Sequence, residues 1–125
     1  MTKRIKKFFI RIVDFIAHYL LQSGTSVSLN AVQQITLSLS YQQMYQNGAR
    51  SLEFKDVGFR QYSQHEEDGI LLYLFALIGT TNKKCVEICA GNGIECNTAN
   101  LIVNHRFIGL LVDGRIKNIN KAKEF

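Results

Sequence analysis

The second half of this sequence predicts an α/β fold that opens with a parallel sheet, and three observations carry that expectation. The short apolar runs "CVEIC" and "FIGLLV" read as strands bounded by turn residues. Between them the glycine turn "AGNG" leads into "IECNTANLIVN", which has the length and pattern of a helix. After the second run, Asp113 and Gly114 lead into "RIKNINKAKEF", the start of another helix. Strand–helix–strand–helix is the opening of a Rossmann-like, doubly wound sheet with helical crossovers. Residues 58–125 are expected to hold this unit, and residues 1–57 to form a helical N-terminal extension.

In the extension, "MTKRIKKFFIRIVDFIAHYLLQ" places Phe8, Phe9, Ile12, Phe15, Ile16, Tyr19 and Leu20 at helical spacing, with Arg11, Asp14 and His18 off that stripe. The run is too short and too charged to span a bilayer. Charges also interrupt what would be the core of a signal peptide, and no small-residue cleavage site follows. Two readings remain for residues 1–22. One is a basic amphipathic helix lying on an anionic membrane surface; the other is a helix packed on its own domain or on a partner. "SGTSVSLN" then breaks the pattern, and "AVQQITLSLSYQQMYQ" predicts a second helix stopping at Asn47-Gly48.

"YSQHEEDGILLYLFALIG" predicts a third helix. Ser63 with Glu66 has the spacing of a capping box, in which hydroxyl and carboxylate each satisfy a free amide. Glu67 and Asp68 add negative charge where the helix dipole favours it. Ile70 to Ile78 is apolar all round, so a largely buried helix is expected, stopped by Gly79. "KKCVEICAG" follows as an expected buried strand.

Composition excludes some function classes. A hydrophobic fraction of 46% and a charged fraction of 20% belong to a globular chain with one core. The net charge of +5 is concentrated early, with Lys3, Arg4, Lys6, Lys7 and Arg11 in the first eleven positions. That is a basic arm and not a nucleic-acid surface, and the aromatic-plus-basic pattern of single-strand binders is missing. Cys85, Cys89 and Cys96 are odd in number and cluster around one strand and turn, so reduced thiols in the cytoplasm are expected. No metal site is expected: His105 is available as a further ligand, but a cysteine buried in a strand is more often a small hydrophobe.

The chemistry centres on the turn. In doubly wound folds ligands bind at the carboxyl ends of the strands, first of all at the first strand–helix turn. Gly91 and Gly93 allow close approach to the backbone and unusual dihedrals. Asp113 ends the second strand, twenty residues after Gly93, where a carboxylate can accept bonds from ribose hydroxyls. An adenosine-containing cofactor follows. A dinucleotide fingerprint would place a third glycine at position 96, where this chain has Cys96. Glu87, on the strand before the turn, can order the loop amides or accept bonds from an ammonium group, and it would repel phosphates.

The segment "YSQHEEDGILLYLFALIGTTNKKCVEICAGNGIECNTANLIVNHRFIGLLVDG" resembles the front of a class I S-adenosylmethionine-dependent methyltransferase, close to the FkbM-type group. That group carries a Ser-Gln-x-x-Glu-Asp helix start, a Val-Glu-Ile-Gly-Ala-Gly-Asp-Gly turn and a Gly-Leu-x-x-Asp-Gly strand end. The resemblance covers residues 58–125. It implies that Glu87, Ala90, Gly91 and Gly93 form the cofactor loop and that Asp113 binds the ribose. It further implies that Gln64 and Asp68 face the methionine end of S-adenosylmethionine; a capped helix with a solvated first turn is the alternative for this pair. The sequence departs from the pattern at Cys89, where the group has glycine, and at Asn92, where it often has aspartate.

A complete fold of that class resembles a sheet of seven strands, and two are legible here. The chain is therefore expected to be the truncated, cofactor-binding half of a methyltransferase. Catalytic and acceptor-binding groups would lie beyond Phe125, and the chain alone should not catalyse transfer. The group's relatives suggest O-methylation of a sugar, glycan or small metabolite. The resemblance fits a cytoplasmic protein, and residues 1–22 would allow peripheral contact with the inner face of a membrane. The alternatives are a non-catalytic remnant or a membrane-surface or partner-binding module, and then an NAD-binding oxidoreductase, which the missing third glycine disfavours.

Overall fold

The computed structural model describes residues 29–124. The amphipathic stretch read over residues 1–22 lies outside the described residues. Within them the protein is mixed α/β, with five helices and one two-stranded parallel sheet. No helix among the described residues is long and apolar enough to cross a membrane.

Helix α1 spans Ala31–Gln46. Asn30 starts it with a reciprocal cap: its Oδ1 accepts the Gln33 amide at 3.0 Å while Gln33 Oε1 accepts the Asn30 amide at 2.9 Å. It stops at Asn47, as its sequence predicts. A single helical turn, α2 (Phe54–Val57), then buries Val57.

Helix α3 spans Glu67–Ile78 and begins later than the Ser63–Glu66 box would place it. That box does not form. Asp68 takes its place: its Oδ2 accepts the amides of Gln61, Tyr62 and Ser63 at 2.7–2.8 Å and the Ser63 hydroxyl at 2.9 Å. Ser63 Oγ in turn accepts the Asp68 amide at 3.2 Å. An ionised carboxylate is a stronger acceptor than a hydroxyl, so it gathers the whole loop onto one oxygen. The helix is half-buried and not enclosed, with Leu72, Tyr73 and Ala76 inside and Ile78 open to solvent.

α1 and α3 pack on each other around Tyr41, Val57, Tyr73 and Ala76. The rings of Tyr41 and Tyr73 meet edge to face at 5.0 Å. Tyr73 also accepts the Leu52 amide at 2.9 Å, which holds the connection between α1 and α2 to this core.

Strand β1 (Lys84–Ile88) and strand β2 (Ile108–Val112) pair in parallel, with Lys84 opposite Ile108 and Ile88 opposite Val112. Between them lies α4 (Ala99–His105), and after β2 comes α5 (Ile116–Glu124). Helix α4 starts five residues later than its apolar pattern predicts. Asn92 Oδ1 accepts the amides of Ile94 and Glu95, and the Glu87 carboxylate accepts those of Asn97 and Thr98. The Ile94 and Glu95 amides would lie free at the start of a helix begun at Ile94, but those of Asn97 and Thr98 would enter its ladder, and Glu87 takes both.

The strands are not buried on both faces, as β1 was expected to be. Cys85, Glu87, Gly109 and Leu111 share the face covered by α4 and α5, where a second core gathers Ala90, Cys96 and Ala99 with Tyr62 and Leu111. Val86, Ile88, Ile108, Leu110 and Val112 share the other face and are 42–75% exposed.

Candidate functional site

The site grows out of the end of β1. Ala90 donates its amide to Val112 O at 3.1 Å, which prolongs the pairing by one residue and sets the turn beside the end of β2. The chain then reverses: the Gly93 amide reaches back to Ala90 O at 3.0 Å. Three residues here carry positive φ, Cys89 at 64°, Gly91 at 60° and Gly93 at 77°. A β-carbon at Gly93 would stand 3.0 Å from the Ala122 methyl, whereas one at Gly91 would meet nothing within 4 Å. Gly93 is therefore required by packing against α5, and Gly91 leaves backbone open to approach.

Asp113 faces this turn. Its Oδ2 accepts the Gly91 amide at 3.0 Å, and its Oδ1 accepts the Arg115 amide at 2.8 Å and the Asn118 side chain at 3.0 Å. The Arg115 amide bond, chiefly, holds the carboxyl below its ordinary range against some desolvation, with Asn118 and Gly91 adding to the effect. Its side chain is 9% exposed, yet Oδ2 takes only one bond and keeps acceptor capacity.

Glu87 works differently. Its Oε1 accepts the Asn97 amide at 3.0 Å, and its Oε2 accepts the Thr98 amide at 2.8 Å and the Thr98 hydroxyl at 2.7 Å. Burial alone would raise this carboxyl, but the Thr98 and Asn97 bonds outweigh it and leave it below its ordinary value. Of the two roles open to it, ordering loop amides is the one visible. The amides it orders are those leading into α4.

The structure thus brings together Glu87, Ala90, Gly91, Gly93 and Asp113. Ala90, Gly91 and Asp113, with Leu111, Ile119 and Ala122, line an open cleft of about 220 Å³. Gln64 and Asp68 belong to the neighbouring segment 60–68. This segment meets the turn through Tyr62, which packs on Ala90, Cys96 and Ala99, and through an Arg60–Glu95 ion pair at 3.6 Å. Gln64 is exposed. Asp68 is only 1% exposed, although Glu66 beside it is exposed, and its Oδ1 is buried without a hydrogen-bond partner among the described residues.

Thr98, Arg115 and Asn118, which hold the two site carboxylates, were not singled out from the sequence. For Asn118 a signal existed, since an acid five residues upstream of an asparagine at a helix start has the reach for such a bond. Cys96, at the third position of the glycine spacing, is buried with its thiol on Gly93 O at 3.5 Å. Desolvation, with the nearby Glu87 charge, pushes that thiol above its ordinary value. All three cysteines are free. Among the described residues no cluster of His, Cys, Asp and Glu could hold a metal ion.

Comparison of the chain with protein-family models, with curated proteins and with solved structures gives no match.

Proposed function

We propose that the chain is the cofactor-binding portion of an S-adenosylmethionine-dependent methyltransferase with a Rossmann-like fold. Its acceptor would be an oxygen of a sugar, glycan or small metabolite. One observation carries the reading: a strand-end carboxylate, Asp113, faces an open glycine turn at the carboxyl ends of two parallel strands.

The residues present fit the cofactor. Oδ2 of Asp113 retains capacity for a ribose hydroxyl, and the space above Gly91 admits a ligand. The cleft beside them is open and has an apolar wall in Ile119 and Ala122. The orphaned Oδ1 of Asp68 is an acceptor awaiting a donor, in the segment that Tyr62 ties to the turn. S-adenosylmethionine, when bound, supplies a methyl group on an electrophilic sulfonium. The chain's own contribution is binding and orientation: Glu87 and Thr98 fix the start of α4, and Asp113 sets the turn through Gly91. No proton transfer is assigned to any of these residues.

Calorimetric titration of the chain with S-adenosylmethionine and with NAD tests the reading. Binding of the former in preference to the latter is expected, with Asp113→Ala weakening it roughly tenfold or more through loss of a charged acceptor. Preference for NAD, or equal binding by Asp113→Ala, would overturn it.

A further inference from the structure

At the amino ends of the two strands, away from the glycine turn, lies a second cleft of about 210 Å³. Its walls come from α1, α3 and α4 and from the loops that lead into β1 and β2. It shares no lining residue with the cleft beside Gly91. The inner lining is apolar. Leu72, Leu101 and Phe107 are buried, and the rings of Phe75 and Phe107 meet at 5.6 Å with a tilt of 43°.

The outer lining is polar and underused. Ser38 and Gln42 of α1 are half-buried there, with no side-chain hydrogen bond among the described residues. Thr36 and Ser40, by contrast, bond back to their own helix at 3.0 Å. Lys83 is fixed at both ends: its carbonyl accepts the Ile108 amide at 2.9 Å, and its Nζ donates to His105 O at 3.2 Å. That bond spends one of the ammonium's three donors. No carboxylate of the described residues forms an ion pair with it. His105 also lines the cleft, and burial, then the Lys83 charge, holds its ring below the ordinary range. Lys83 is thus the one full charge among the lining residues at neutral pH.

We propose that this cleft is a binding site for a small aromatic monocarboxylate, its ring on Phe75 and Phe107 and its carboxylate on the Lys83 ammonium. The size agrees. An enclosed apolar cavity of about 150 Å³ holds one benzene, so the volume here suits a ring with a carboxylate and little more. The charge agrees as well. A carboxylate at Lys83 gains a charge-assisted bond, and Ser38 and Gln42 offer neutral donors within the same cleft. A dianion would meet a single cation above an apolar floor, and a cationic ligand would be repelled.

Titration of the ¹⁵N-labelled full chain with benzoate tests the proposal. Benzoate should saturate with a Kd on the order of 1 mM, as few atoms and one charged contact allow. The amides of Thr80, Lys83, His105 and Phe107 should shift while those of Gly91, Gly93 and Gly114 stay still, which separates this cleft from the one at the turn. Benzamide keeps the shape without the charge, and acetate keeps the charge without the ring. Each should bind at least about tenfold more weakly. Lys83 has φ 48°, a conformation that asparagine tolerates, so Lys83→Asn should keep the fold and weaken benzoate by the same factor. Ser38→Phe fills the cleft from α1 and should abolish binding with Lys83 in place. Circular dichroism checks that both variants fold. Failure of benzoate to saturate, equal binding of benzamide, or undiminished binding by Lys83→Asn would overturn the proposal.

Discussion

Cys89 holds a backbone conformation, φ 64°, that side chains with a β-carbon resist and glycine adopts freely. Replacing it with glycine removes that strain, partly offset by the looser unfolded chain, so Cys89→Gly should stabilise the protein by about 1 kcal/mol. Gly93→Ala should do the reverse, by about 1–3 kcal/mol, since it adds both strain and a clash with Ala122. Midpoints of urea unfolding measure both; a destabilised Cys89→Gly would contradict the turn geometry. The titrating groups of the site set a pH dependence of definite sign. Glu87 and Asp113 are held below their ordinary values of 4.5 and 3.8, so the stability they give is complete above those values and is lost as pH falls through the depressed ones. His105 adds an earlier loss in the same direction. Burial, then Lys83, hold its imidazole below 6.5 against the opposing Asp68, so protonation disfavours the fold as pH drops under 6.5. Thermal melts from pH 8 to 3 should show two descents, with His105→Gln removing the first and Glu87→Gln diminishing the second. A melting temperature flat between pH 8 and 5 would contradict the burial of His105.

Between elements, the joints are made by a few buried polar groups and one close backbone approach. Gln34 is fully buried in α1, and its side-chain oxygen accepts from both Asn100 at 2.9 Å and His105 Nε2 at 2.7 Å. Gln34→Leu would strand both partners, a loss of about 1–3 kcal/mol. Gly69 lets α3 lie directly on the chain at Val57 and Phe59, whose backbone a β-carbon at position 69 would overlap. Gly69→Ala should therefore cost about 3 kcal/mol, although alanine is the better helix former; a neutral result in urea unfolding would contradict this contact. Neither joint is legible in the sequence, because nothing local distinguishes Gln34 from Gln33 or Gly69 from an ordinary helix residue. What was legible is whatever depends on period and punctuation: β1 and β2 from short apolar runs, the turn from Gly91 and Gly93, and the end of α1 at Asn47. The starts of α3 and α4 were misjudged for one reason. In each case a carboxylate reshapes the approach to the helix: Asp68, in the first turn of α3, draws in Ser63 and the amides before it, and Glu87, on β1, takes the Asn97 and Thr98 amides. The one-turn α2 lacks the length for any periodicity to show.

For the molecule as a whole, the described layers are lopsided: helices α1, α3, α4 and α5 accompany a sheet whose other face is aliphatic and open. The candidate site sits at the carboxyl end of that sheet. The central claim is that the turn between Cys89 and Gly93, with Asp113, receives S-adenosylmethionine. Amide chemical-shift mapping on the ¹⁵N-labelled chain during titration with S-adenosylmethionine tests it most directly. The Gly91 amide, now bonded to Asp113, and those of Gly93 and Gly114 should shift most, and the amides of α1 should stay still. Saturation with no change at Gly91, or shifts confined to α1 and α3, would contradict the claim.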